Sequence, residues 1–287
     1  MQTLSRTPDL MYPELSSAMT ITPVLGAFIG MSLALTGAGG GILAVPALVF
    51  GLHLSVPQAA PVGLLAVGLA AAAGAMAGLR NGSVRYRAAA VIGGAGMLAA
   101  PIGTALSSRL PTNLLTAIFA LVLGVVALRM YRSGAHGSST AADHRTVPGP
   151  VCVRDSTTGR LVWTRVCARC LAFTGLAAGT LSGLLGVGGG FLIVPALTRH
   201  SNLQAAGIVN TSLAVIALVS ISGVASATAQ GHMDWSLALP FAFGAMVALL
   251  AGQRLAQRWS ERTLRRCFAL VSATVSISLL VRVAHAI

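Results

Sequence analysis

Few groups in this chain could do chemistry in an apolar solvent, and they fall at three places. Two are glycine triplets: Gly39, Gly40 and Gly41, preceded by Thr36, and Gly188, Gly189 and Gly190. Each is followed by a short apolar run and Val-Pro-Ala-Leu. The third is Asn210-Thr211-Ser212, inside a stretch from Ser201 to Met233 without a charged residue. Glycine brings no side chain, so the chemistry at the triplets is that of the backbone. Glycine costs a helix interior about 1 kcal/mol per residue, so three in a row break it. A break leaves N–H and C=O groups that protein, water or a ligand must satisfy. A half-helix starting just after each triplet would aim its partly positive N-terminus inward and could hold an anion without a buried arginine. The competing role is close helix packing, which suits the GxxxG pairs Gly26/Gly30 and Gly175/Gly179. Asn210 is costly in a span unless paired, so it either joins helices or faces a cavity, with Thr211 and Ser212 beside it. Gln204, Gln230 and Gln253 are weaker candidates.

Other chemistries lack their residues. The six acids are Asp9, Glu14, Asp143, Asp155, Asp234 and Glu261, none of them inside an apolar run. No catalytic carboxylate pair or metal cage is therefore available, and neither an enzyme nor a cofactor is expected. The Gly-Ala-Gly-Gly-Gly-Ile stretch lacks both the Gly-Lys-Ser/Thr ending of a phosphate loop and the third glycine of a dinucleotide fingerprint. His53 and His200, near the ends of the two glycine segments, read as interfacial polar residues, with proton coupling as the alternative. Cys167-Ala-Arg-Cys170 has CxxC spacing but no second pair, and reads as small residues entering a helix.

The elements that must position these groups follow from composition. The chain is 55% hydrophobic and 9% charged, with a mean hydropathy of +0.82, whereas soluble domains carry about 25% charged residues. Long charge-free runs, such as Ile21–Leu79 and Trp235–Gln253, match the roughly 18 residues that read as a membrane helix. Strand-like alternation is absent, so the fold class is an all-α polytopic membrane protein. The formal charge of +13 comes from arginines in loops and at span ends. That distribution fits the positive-inside rule, and no nucleic-acid partner is expected.

Sliding the chain by 149 positions aligns its halves without a gap: Gly26 meets Gly175, Gly41 meets Gly190, Gly82 meets Gly231 and Arg109 meets Arg258. The expected organisation is a polar tail (1–21), a four-segment repeat (22–131), a linker (132–169) with a small hairpin around Asp155–Gly159, and a second repeat (170–287). The first segment of each repeat, about 22–50 and 171–199, is too long for one simple span and is either a tilted, broken helix or a re-entrant hairpin. The chain has no lysine, so the arginines decide. If all eight segments cross, they divide 12 against 7; if the first of each repeat is re-entrant, they divide 16 against 3. The second division obeys the positive-inside rule far better, and three crossings per repeat make the halves inverted. The linker is then cytoplasmic, both termini external, and the membrane the cell's inner one.

Thr180–Leu197, its copy at 34–48 and Asn210–Val215 resemble the sulfite exporter TauE/SafE family of membrane transporters. The resemblance covers nearly the whole chain beyond the tail. It implies movement of a small sulfur-containing anion such as sulfite, thiosulfate or an organosulfonate. An inside-negative potential favours expelling an anion, so export by alternating access between the two repeats is the expected mode. Proton- or cation-coupled import of the same anions is the alternative. One departure is internal: Pro61-Val62-Gly63 stands where the second repeat has Asn210-Thr211-Ser212. The orientation has a direct check. An epitope tag after Ile287 should be accessible in intact spheroplasts and one in the linker only after permeabilisation; a C-terminal tag seen only after permeabilisation overturns it.

Overall fold

The computed structural model describes residues 12–36, 41–135, 164–200, 205–256 and 261–285. They form ten helices: α1 (Tyr12–Thr36), α2 (Ala44–Gly51), α3 (Val56–Arg80), α4 (Tyr86–Ser107), α5 (Thr112–Ala135), α6 (Arg165–Leu185), α7 (Gly190–His200), α8 (Ala205–Ala229), α9 (Trp235–Ala256) and α10 (Glu261–His285). Among the described residues there is no strand. Six helices, α3, α4, α5, α6, α8 and α9, contain stretches long and apolar enough to cross a membrane.

Local chemistry sets the helix ends. Ser55 starts α3 with a capping box, its N–H donating to Gln58 Oε1 at 3.1 Å. Thr164 starts α6, its Oγ1 accepting from the Cys167 N–H at 3.1 Å. Gly82 and Gly231, 149 residues apart, close α3 and α8 with the same left-handed turn, φ 62° and 71°. Each is followed by a residue whose N–H returns to the helix: Ser83 to the Gly78 carbonyl and His232 to the Ala227 carbonyl, both at 3.0 Å.

Both long first segments appear as two helices, α1 with α2 and α6 with α7. Helix α1 begins at Tyr12 and α6 at Arg165, earlier than the apolar runs, and α5 runs on to Ala135, because polar residues of ordinary helix propensity extend a helix beyond its apolar stretch. The hairpin expected around Asp155–Gly159 lies outside the described residues.

Close contacts give the helix directions. On α6, Gly175, Gly179 and Gly183 press against the backbone of Ile92, Gly96 and Ala100 on α4, so these two helices run parallel. On α1, Gly26 and Gly30 press on Phe241 and Ala245 of α9 in the same way. Helix α3 lies antiparallel to α8: Leu64 meets Gly223, Gly68 meets Ser220, Gly74 meets Leu213 and Gly78 meets Asn210. The main helix pairs are α4 with α6, α1 with α9, α5 with α10, α3 with α8, α4 with α8 and α3 with α9. Replacing every helix by its counterpart 149 residues along reproduces this set.

The bundle therefore has two ends. At the arginine end, α3 finishes at Arg80, α4 begins after Arg85, and α6 and α8 begin. The opposite end holds the 52–55 turn, the 108–111 loop and the 230–234 turn. Helix α10 finishes there, with the Arg282 guanidinium 5.0 Å from the Phe50 ring centre.

The glycine seams bring backbones into contact, leaving no room for a side chain. Gly94, on the same helix α4, has nothing within 4 Å of where its Cβ would be. Gly179→Leu should cost at least about 3 kcal/mol of packing and lower the melting temperature in detergent, whereas Gly94→Leu should leave it near wild type. Equal melting of the two variants would refute the seam.

A candidate solute site at the helix breaks

The break between α6 and α7 is built from backbone. Gly186 ends α6 at φ 70°, ψ 25°, its N–H donating to the Ser182 carbonyl at 2.8 Å. A side chain there would enter the Ala60 backbone. Gly188 and Gly189 follow at φ 73° and 67°, conformations that strain any L side chain, and a Cβ on Gly189 would lie 2.7 Å from the Ala178 carbonyl oxygen. Helix α7 starts at Gly190, with the Leu192 and Ile193 N–H groups donating to the Gly189 carbonyl. The N–H groups of Gly190 and Phe191 belong to the first turn, which has no partners of its own in the helix ladder. Residues 186–190 are all buried.

The two breaks meet. Gly41 is buried, and a Cβ on it would lie 2.9 Å from Val67 Cγ1 and 3.2 Å from the Val187 carbonyl oxygen. A Cβ on Gly188 would lie 3.0 Å from the same Val67 methyl and 2.9 Å from a methyl of Ile216, the counterpart of Val67. Val67 and Ile216 are both 0% exposed. Gly41 and Gly188 thus both approach Val67, and Gly188 also approaches Ile216, in the buried interior. Gly39 and Gly40 lie outside the described residues, and Thr36 is the last residue of α1.

The Asn210 cluster divides. Asn210 Nδ2 donates to Ser83 Oγ at 2.7 Å, and Thr211 Oγ1 accepts from the Arg85 N–H at 3.1 Å. Both side chains are tied to the α3–α4 loop at the arginine end. Eleven residues of α3, roughly 16 Å along its axis, separate Gly78, against Asn210, from Val67. These bonds join α8 to the α3–α4 loop, one of the two roles open to Asn210. Ser212 is different: it is 0% exposed and its hydroxyl has no partner.

Ser182 and Ser220, not singled out by sequence, are also buried with unpartnered hydroxyls. Their counterparts are Leu33 and Ala71, and that of Ser212 is Gly63. An unmade hydrogen bond at a buried hydroxyl costs about 1–3 kcal/mol, which a polar solute or water would relieve. The signal was in the sequence, as hydroxyls in the second repeat facing apolar positions in the first.

A cavity of about 620 Å³ opens at the end opposite the arginines. Its rim carries the exposed Gln58, His232 and Asp234, and its floor the buried Pro61, Val62 and Thr104. Immediately beyond the floor is Gly63, where a Cβ would lie 3.3 Å from the Gly186 carbonyl oxygen. The cavity thus leads from solvent towards the α6–α7 break. Asp234 is occupied at its rim, its Oδ1 accepting from the Ser236 hydroxyl at 2.6 Å.

Among the described residues no group of acids, histidines and cysteines could hold a metal. His53 is exposed, at φ 54° in the α2–α3 turn; His200 ends α7. Cys167 is disulfide-bonded and Cys170 is a free thiol, so the CxxC is not a closed pair.

The chain is 29% identical over 264 residues to a "Probable membrane transporter protein" of Xylella fastidiosa (strain 9a5c), covering 91% of this chain and 94% of the relative. It is 24% identical over 253 residues to the "Probable membrane transporter protein YdhB" of Bacillus subtilis (strain 168), covering 88% and 96%. No solved structure matches it. The family model described as "Sulfite exporter TauE/SafE" matches residues 23–279. With six helices able to cross a membrane and relatives named as membrane transporters, the chain belongs to the sulfite exporter TauE/SafE family of membrane transporters.

Proposed function

We propose that this transporter exports a small sulfur-containing anion (sulfite, thiosulfate or an organosulfonate) by alternating access between two inverted repeats. The observation that carries the reading is the approach of Gly41 and Gly188 to the same buried Val67, with a cavity whose floor adjoins Gly63 and the Gly186 carbonyl. Antiparallel packing of α3 on its own counterpart α8 supports inversion, since equivalent helices crossing in opposite senses belong to repeats of opposite orientation. Re-entrance has similar support. Helices α6 and α8 both start at the arginine end, so α6 and α7 together bring the chain back to where it entered.

In this reading the anion sits among the backbone of Gly39–Gly41 and Gly188–Gly190, with Thr36 and the Ser212 hydroxyl beside them. Exposed N–H groups and the positive end of α7 supply the attraction that a buried arginine would otherwise provide. The arginine end faces the cytoplasm and the chain lies in the inner membrane. That places Cys167 on the reducing side, where disulfides rarely persist; 16 arginines against 3 outweigh one bond. An inside-negative potential drives an anion outwards by about 2.3 kcal/mol per charge per 100 mV. Export then needs no coupling ion and no carboxylate in the spans.

In proteoliposomes, Gly189→Leu should insert normally yet slow anion flux at least about tenfold, the effect of 1–3 kcal/mol of overpacking at the turn. Flux equal to wild type would remove the glycine site. A panel of sulfite, thiosulfate, sulfoacetate and taurine should show saturable flux of at least one sulfur anion, driven by membrane potential and insensitive to a pH gradient. Flux that collapses with the pH gradient would favour the proton-coupled importer.

A further inference from the structure

Four of the positions that line the cavity have counterparts at the other end that are hydrogen-bonded in pairs. Shifting by 149 positions turns Pro61 and Val62 into Asn210 and Thr211, and His232 and Asp234 into Ser83 and Arg85. At one end these positions line an opening of about 620 Å³. At the other they touch. Asn210 donates to Ser83 Oγ at 2.7 Å, Ser83 Oγ donates to the Gly78 carbonyl at 2.9 Å, and the Arg85 N–H donates to Thr211 Oγ1 at 3.1 Å. The fit is tight as well: a Cβ on Gly78 would lie 2.9 Å from Asn210 Cγ. Thr211 is 0% exposed, so its bond to Arg85 is held away from water.

The two ends share their turn geometry, with Gly82 and Gly231 in the same left-handed conformation. The difference therefore lies in the side chains that face each turn. Asparagine and threonine can grip a loop through hydrogen bonds; proline and valine have no side-chain donor or acceptor. The gripping pair holds its loop, and the apolar pair lines the opening.

We propose that Asn210–Ser83 and Thr211–Arg85 form the latch of a gate at the arginine end. They release when that end opens, and the absence of an equivalent pair at Pro61 and Val62 makes the cavity-open state the resting one. The proposal rests on the alternating-access reading, but not on the identity of the anion. Asn210 and Thr211 are gating residues here and make no contact with the solute.

The test uses the full chain in lipid nanodiscs with no solute added. Hydrogen exchange reads the amides of 83–86, and hydroxyl-radical footprinting reads Met233 and Trp235, both in the cavity wall. Thr211→Val should speed exchange at 83–86 about tenfold, the equivalent of one net hydrogen bond, and should lower oxidation of Met233 and Trp235 severalfold as the far end closes. Thr211→Ser, which keeps the hydroxyl, should behave as wild type at both ends. The triple variant Pro61→Asn, Val62→Thr, His232→Ser builds the latch at the open end; it should protect Met233 and Trp235 without touching the arginine end directly. Faster exchange at 83–86 with unchanged oxidation in Thr211→Val would reduce the bonds to local loop contacts and overturn the latch. If Thr211→Val does not fold, the triple variant decides alone: protection supports the latch, unchanged oxidation overturns it. A failed anion-flux panel leaves these outcomes readable, because none of them measures transport.

Discussion

A backbone polar group left unpaired in hydrocarbon costs several kcal/mol, so a helix can be broken at membrane depth only where protein surrounds the break. The rest of this molecule is arranged around that constraint. Residues 186–189 are enclosed by Ala60, Val67, Ala178 and Ile216, which come from three different helices. Helices α3 and α8 are the most interior elements because they supply this wall, and two-thirds of α3's apolar window is buried. Helices α5 and α10 pack mainly on each other and can remain lipid-facing. The break is thus the reason for the layering.

The shared 149-residue register accounts for the frame, and the differences within it account for the polarity. Turns, glycine seams and helix pairs recur in both halves at the same register, whereas, among the described residues, the four buried hydroxyls without a partner and the amide of Asn210 lie in the second. Ser182, Asn210, Thr211, Ser212, Ser220 and Ser272 stand opposite Leu33, Pro61, Val62, Gly63, Ala71 and Leu123. The first repeat supplies apolar wall and the second supplies every one of these hydrogen-bonding groups. A symmetric scaffold therefore holds an asymmetric interior, which is how two similar ends can rest in different states.

Much of this was legible in the sequence because its causes are local. Charge-free length marks the spans, and Gly188 and Gly189 lie where α6 gives way to α7. The constant 149-residue register states which helices are equivalent. What escaped depends on the other side of a contact. Asn210 in a span announces a need for a partner but not that the partner is Ser83, 127 residues earlier. Ser182 and Ser220 looked like ordinary small residues until their surroundings were known to be dry. The cavity involves three separate stretches, 54–62, 104–112 and 227–237, and no periodicity within any one of them reports a shared opening.

The seams have a consequence for biosynthesis. Helix α1 packs on α9 and α4 on α6, so each repeat's backbone contacts are completed by the other. When α1 leaves the ribosome, its partner is still some 200 residues away in the chain. Gly26 and Gly30 must wait in the lipid, uncovered, until α9 arrives. Neither half can reach its final packing alone, and the first repeat cannot serve as a finished template for the second. The molecule is woven rather than stacked, and its assembly is slow in the sense that non-local pairings are slow. A membrane chaperone or the insertion machinery would meet this chain longest in the interval between α4 and α9, while the glycine faces of the first half are still unmatched.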